Sequence, residues 1–347
     1  MLKGNMLAAI IEAPGHIVIR EVNMPKPNSG EALIRVKAVG ICGTDLDIFR
    51  GTHPRVSYPR IIGHEIAGEI ISVNAPGSAL LPGTRVVVEP YIPCGKCYPC
   101  TQGFTNCCEN LQTVGVYKDG GLAEYFSHPV ALLYQIPDAL SWSQAALIEP
   151  LGIAYYAVAE AGIGKGNWVI ITGAGPIGNL IAQVTISKGA IPILIDPLTE
   201  RLRAAQDVGV CYLCSSQGEE LVRYVSSVTR GAMADALIEA SGSEQILTLA
   251  TSLVKTRGKI IVVGRPKSNV VIPRDSLIAM ISKEITIQGL RNCRGREVFQ
   301  RVLQLVEHNK VNLNAIITDM IAIEDIPHVI NELCTNPREH LKGVVLF

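Results

Sequence analysis

Three groups of residues in this sequence have types and spacings that can do chemistry. Cys94, Cys97, Cys100 and Cys108 read C-x2-C-x2-C-x7-C. Zinc takes thiolates at tetrahedral corners, and two-residue gaps let one loop wrap the ion. Four sulfurs leave no open position, so a structural metal is expected. Spacing alone leaves Cys107 competing with Cys108 for the fourth place. A redox cluster, an iron–sulfur site or a zinc-ribbon nucleic-acid module are the other uses of such a run. Gly95, Pro99 and Gly103 predict a loop here rather than a helix.

The second group is dispersed. Cys42 stands in GICGTD, His64 and Glu65 in GHE, and Glu149 before Pro150 at the start of a helical pattern. Singly, Cys42 reads as a small buried hydrophobe and His64 as a hydrogen-bonded histidine. Glu149 reads as a carboxylate placed by the helix dipole. Together they form a mixed sulfur, nitrogen and oxygen set. Three protein ligands with an open position is the layout of a catalytic zinc, which acidifies an alcohol or polarises a carbonyl.

The third group is Gly173-Ala174-Gly175-Pro176-Ile177-Gly178, which follows an apolar strand and opens an apolar helix. These glycines allow a tight turn, close approach of a pyrophosphate and close helix–strand packing. A second strand ends at Asp196, where a carboxylate can bind the ribose hydroxyls of NAD and repel the 2′-phosphate of NADP. Arg201 and Arg203 lie nearby and keep NADP as the lesser expectation.

Two kinds of element must position these groups. Short apolar or alternating runs at 6–11, 17–22, 32–39, 66–73 and 85–88, broken by Pro, Gly and Asn, predict a β-rich first part. From about residue 144 the texture changes. Strands are predicted at 168–172, 191–195, 235–240 and 259–263, with helices at 200–207, 219–228 and 245–254 between them. That alternation predicts a doubly wound parallel sheet. A helix at 297–307 and a strand at 343–347 close the chain.

Composition sets the limits. A chain of 347 residues with 48% hydrophobic residues can bury two cores. Lys+Arg and Asp+Glu are each 31, so there is no electrostatic footprint of a nucleic-acid partner. No leader is read at the N-terminus. Residues 168–187 carry no charge, but Gly173, Gly175, Pro176 and Gly178 make them a strand, turn and helix rather than a membrane span. Ten cysteines without a leader point to a reducing, cytoplasmic setting and to metal rather than disulfides. Cys211 and Cys214 are expected to pack in a core, and Cys293 and Cys334 to be buried thiols. His53, Arg291 and Asn292 are weaker candidates for contact with a substrate.

The motifs GICGTD, GHE, the four-cysteine run, GGLAEY at 120–125, EPLG at 149–152 and GAGPIG together resemble the zinc-containing medium-chain dehydrogenase/reductase (alcohol dehydrogenase) family. The resemblance implies an α/β protein with a GroES-like β-barrel catalytic domain, residues 1–152 completed by 293–347. It implies a Rossmann domain over 153–292 and two zinc ions per chain. Carried over by position, Cys42 and His64 are catalytic zinc ligands, with Glu65 or Glu149 taking the remaining place. Thr44 resembles the hydroxyl residue that passes the substrate proton toward solvent. Asp45 resembles the carboxylate that orients the zinc-bound histidine. Glu65 resembles the family's glutamate beside the histidine, which can ligate the zinc directly or act in catalysis from behind its ligands, and the resemblance favours Cys108 over Cys107. Because Glu149 stands where liver-type enzymes carry cysteine, the sequence looks more like polyol, sugar-acid and threonine dehydrogenases. The expected substrate is a small polyol, sugar acid or related alcohol, and the expected assembly a homodimer or homotetramer. The alternatives are an L-threonine 3-dehydrogenase and a non-catalytic zinc-stabilised binding protein.

Overall fold

A computed structural model of the protein describes residues 4–336 and 340–347. Residues 1–3, part of the stretch read for a leader, lie outside them. The chain divides into two compact units. A β-rich unit comprises Met1–Glu149, Arg294–Gln304 and Ile317–Phe347. An α/β unit comprises Pro150–Cys293 and Leu305–Ile316. The return segment expected wholly with the β-rich unit is therefore interrupted. One cause is the buried Gln183, whose side chain donates to the Asn312 carbonyl at 3.2 Å and accepts from its N–H at 2.5 Å. That exchange ties 305–316 to the helix Pro176–Ser187.

In the α/β unit, six parallel strands lie in the spatial order Tyr212–Cys214, Ile191–Ile195, Trp168–Thr172, Ala234–Glu239, Val254–Val262, Thr286–Gly289. Numbered along the chain this is 3-2-1-4-5-6, the dinucleotide-binding order. The inner strands are continuous apolar runs because both faces are covered. Two expectations change. The strand placed at 259–263 starts earlier, because the helix Glu244–Leu253 runs directly into it. Cys214 is buried, but Cys211 precedes the edge strand and is exposed.

The β-rich unit holds a seven-stranded sheet with the order Leu133–Gln135, Arg85–Val88, Glu65–Asn74, Glu31–Gly40, Gly343–Leu346, Asp319–Ala322; Tyr125–Pro129 also pairs with Glu31–Gly40. A three-stranded sheet of His16–Asn23, Asn5–Ala13 and Arg60–Ile61 completes its core, with Ile34, Ile48, Ile66 and Leu122 fully buried. The strand Glu31–Gly40 is central. It pairs antiparallel with Glu65–Asn74 (Gly40 opposite Glu65) and with the C-terminal strand (Gly40 opposite Val344). That pairing brings two segments of the chain's first part and its C-terminal strand to one point. Cys293 is buried, whereas Cys334, on the helix Ile326–Thr335, is only half-buried. No helix among the described residues is long and apolar enough to cross a membrane.

Candidate active site

The strand Glu31–Gly40 ends two residues before Cys42, which stands at the start of the helix Gly43–Phe49. His64 and Glu65 lie where the neighbouring strand begins. Ligand atoms of Cys42, His64 and Glu65 all lie within 4.8 Å of one another. Glycine at position 40 is required by this approach: a Cβ there would sit 1.9 Å from Glu65 Oε2. That Oε2 atom is buried with no hydrogen-bond partner. Burying an unpartnered carboxylate oxygen is costly, and a metal ion on the Cys42, His64 and Glu65 atoms would relieve it. The donor set thus fits zinc.

Asp45 is fully buried behind this cluster. Its Oδ2 accepts the Cys42 N–H at 2.8 Å and its Oδ1 the Gly63 N–H at 3.1 Å. Oδ1 also lies 3.6 Å from His64 Nδ1. Burial works against its charge, but His64 and the two N–H groups outweigh this and hold its carboxyl below the usual range. Burial likewise lowers the His64 value, but Asp45 and Cys42 beside it raise it well above the usual one. Thr44 is half-buried in the first turn of the helix.

Glu149 lies in the first turn of the helix Ile148–Ala161, 5% exposed. It is not one of the three residues whose ligand atoms cluster, which distinguishes it from Glu65. Its carboxyl is pushed up to about 7, by burial first and Glu65 next, while His64, Tyr91 and Lys342 pull the other way. The Tyr91 hydroxyl donates to Glu149 Oε1.

Sequence reasoning missed Lys342. It is 3% exposed, and its ammonium donates to Glu65 Oε1 at 2.6 Å and to the Ile41 carbonyl at 2.9 Å. Burial opposes its charge, but Glu65 and Cys42 raise its pKa. The available signal was a single lysine directly before an apolar terminal strand. Tyr91, in the run EPYIPC, was missed as well.

Cys94, Cys97, Cys100 and Cys108 also bring their sulfurs within 4.8 Å of one another. The Cys97 and Cys108 sulfurs are 3.7 Å apart, close to the edge of about 3.8 Å for a tetrahedron with Zn–S bonds near 2.3 Å. Cys107 is exposed and outside the group. One correction applies: Tyr98–Thr101 forms a helical turn where a loop is expected, with Pro99 in its first turn.

In the α/β unit each glycine of the turn has a separate reason. Gly173 has φ 89° and lies against Ser241. A Cβ on Gly178 would sit 1.7 Å from the Gly173 carbonyl oxygen. Gly175 faces open space at the helix start, where N–H groups converge on a ligand. Pro176 and Ile177 are half-buried in the first turn. Asp196 is buried and accepts from Ala174 N at 2.8 Å and Leu198 N at 2.9 Å, so it also braces the turn. Arg201 is half-buried on the helix Thr199–Gln206. His53 is half-buried in a loop, Arg291 is exposed, and Asn292 has φ 54°.

Residues 28–138 match the family described as alcohol dehydrogenase GroES-like domain, and 176–308 match zinc-binding dehydrogenase. A zinc-type alcohol dehydrogenase-like protein of Haemophilus influenzae is 39% identical over 100% of both chains. The chain belongs to the zinc-containing medium-chain dehydrogenase/reductase family. The dehydrogenase is also 33% identical to L-galactonate-5-dehydrogenase of Escherichia coli, over 99% of each chain. A solved alcohol dehydrogenase from E. coli CFT073, complexed with NADH, superposes with a TM-score of 0.91 at 30% identity, over 99% of this chain and 100% of that one. The protein is therefore an enzyme acting on CH–OH groups in a family of zinc-binding, nicotinamide-dependent dehydrogenases, not a non-catalytic binding protein. Its two units are the GroES-like and Rossmann-like parts of that fold.

Proposed function

We propose that this dehydrogenase transfers hydride between a secondary alcohol of a polyol, sugar acid or related hydroxy compound and NAD(H). The observation that carries this reading is the cluster of half-buried Cys42 with buried His64 and Glu65, and Glu149 and Lys342 beside it. Zinc, when bound, supplies a Lewis acid that acidifies an alcohol hydroxyl, and the nicotinamide accepts the hydride. Cys42 and His64 are the fixed ligands, and Glu65 and Glu149 share the third place. Asp45 holds the His64 ring. Thr44 takes the substrate proton and passes it toward solvent. A second zinc on Cys94, Cys97, Cys100 and Cys108 stiffens its loop.

The Gly173–Gly178 turn would bind the pyrophosphate and Asp196 the adenosine ribose, which favours NAD over NADP. Two zinc ions per chain are expected. The dehydrogenase is further proposed to form a homodimer or homotetramer. Support comes from the edge strand Thr286–Gly289 and the helix Arg274–Lys283 beside it in chain order. Ile281 is 74% exposed, and Leu277, Ile278 and Ile287 are exposed with it. A second copy pairing edge to edge would satisfy the free strand groups and cover these side chains.

The test is formation of reduced nicotinamide, read by absorbance, on a panel of polyols, sugar acids and L-threonine. Activity on threonine alone would replace the proposed substrate class. Cys42→Ser should leave one zinc per chain and lower activity by at least ~100-fold; full activity would overturn the metal role.

A further inference from the structure

The two buried glutamates of the site, Glu65 and Glu149, are held by different donors. Glu65 is tied to a cation, the Lys342 ammonium. Glu149 is held by a neutral hydroxyl, that of Tyr91. Tyr91 is itself 6% exposed. Its backbone is fixed by a two-stranded ribbon in which Tyr91 lies opposite Thr113 and the Pro90 carbonyl accepts from Val114 N at 3.0 Å. The same ribbon leads directly into the four-cysteine lobe, because Cys94 follows two residues after Ile92.

A neutral donor orients a carboxylate without cancelling its charge, which an ammonium partner does. With Oε1 taken by Tyr91, a metal ion would be met by Oε2. Partners of this kind around ligands change metal affinity or activity by about 10–100-fold when removed. We propose that Tyr91 is a positioning residue: its hydroxyl sets the reach of Glu149 toward the metal held by Cys42 and His64, and so governs how tightly that metal is kept. This rests on the two-zinc reading above.

The experiment compares the zinc-loaded wild type with Tyr91→Phe, Glu149→Gln and the double variant. Zinc per chain, the rate of zinc loss to a chelator, kcat and KM are measured for each. Tyr91→Phe should lose one of the two zinc ions about 10-fold faster and keep the lobe zinc, which also reports that the fold is intact. kcat should fall about 10-fold with KM for the nicotinamide unchanged within twofold. In the Glu149→Gln background the same change should alter neither quantity by more than about twofold, since the two residues act as one unit. If Tyr91→Phe does not fold, Glu149→Asp withdraws the carboxylate from the intact hydroxyl and should give the same faster zinc loss. Two zinc ions held equally well by wild type and Tyr91→Phe would overturn the role of Tyr91 alone, as would effects that multiply in the double variant. A wild type holding only the lobe zinc would overturn the metal reading and the inference with it.

Discussion

Acid should weaken the β-rich unit through one buried histidine. His128, on the strand Tyr125–Pro129, is 0% exposed and stacks on Phe126 at 5.3 Å. Its Nε2 lies 2.9 Å from the Glu89 carbonyl oxygen. A carbonyl only accepts, so Nε2 carries the hydrogen and Nδ1 is bare; Nδ1 is buried with no partner. A proton there would place an unpaired charge in the core. Burial lowers the His128 pKa to about 4, with Lys118 acting in the same direction and the Glu89 carbonyl and Glu31 opposing. The unfolded chain titrates near 6.5. Between these values the unfolded state binds the proton that the folded state refuses. The stability is therefore complete above about pH 6.5 and is lost as pH falls toward 4. The difference amounts to about 3 kcal/mol in full and about 2 kcal/mol by pH 5.

His128→Phe keeps the ring and removes the titration. At pH 7.5 the variant should be about 1 kcal/mol less stable, because the Glu89 carbonyl loses its donor. At pH 5 it should be the more stable of the two by about 1 kcal/mol. Urea unfolding can follow the β-rich unit alone through Trp142 in a Trp168→Phe background, since these are the only two tryptophans and the units hold one each. Neighbouring carboxylates, including the buried Glu89, titrate in both proteins and cancel in the comparison. A stability difference that is the same at pH 7.5, 6 and 5 would refute the reasoning.

Lys342→Met leaves the Glu65 carboxylate and the Ile41 carbonyl without their buried donor; a loss of about 3–5 kcal/mol is expected in urea unfolding, and less than 1 kcal/mol would count against the pair. Gly178→Ala drives a Cβ into the Gly173 carbonyl. Binding of the nicotinamide cofactor, followed by fluorescence titration, should weaken by at least ~10-fold without loss of zinc. Ile281→Glu places a charge on the exposed face of the helix Arg274–Lys283. Sedimentation should show a shift toward monomer relative to wild type, and an unchanged assembly would exclude that face as the interface.

Local spacing carried much of this enzyme. Cys94, Cys97, Cys100 and Cys108 are near in sequence, so the loop that joins them also brings their sulfurs together, and C-x2-C-x2-C-x7-C was readable without a fold. The turn Gly173–Gly178 was readable for the same reason: strand, turn and helix are one continuous segment. The alternating strands and helices after residue 144 likewise defined the parallel sheet.

Other features depended on pairing between distant segments. The sequence offered Glu65 and Glu149 as equals. The structure clusters Glu65 with Cys42 and His64, and sets Glu149 against Tyr91. Residues 305–316 joined the α/β unit through Gln183, and Cys211 lost its expected burial because it precedes a strand at the sheet edge. Lys342 reaches Glu65 from 277 residues away. It does so because the C-terminal strand adds beside Glu31–Gly40, opposite the strand that begins at Glu65. A hydrogen-bonded register between strands remote in sequence leaves no periodic trace in either one. The sequence alone therefore determined which residues could bind metal and nucleotide, and strand pairing decided which carboxylate meets Cys42 and His64 and which lysine restrains it.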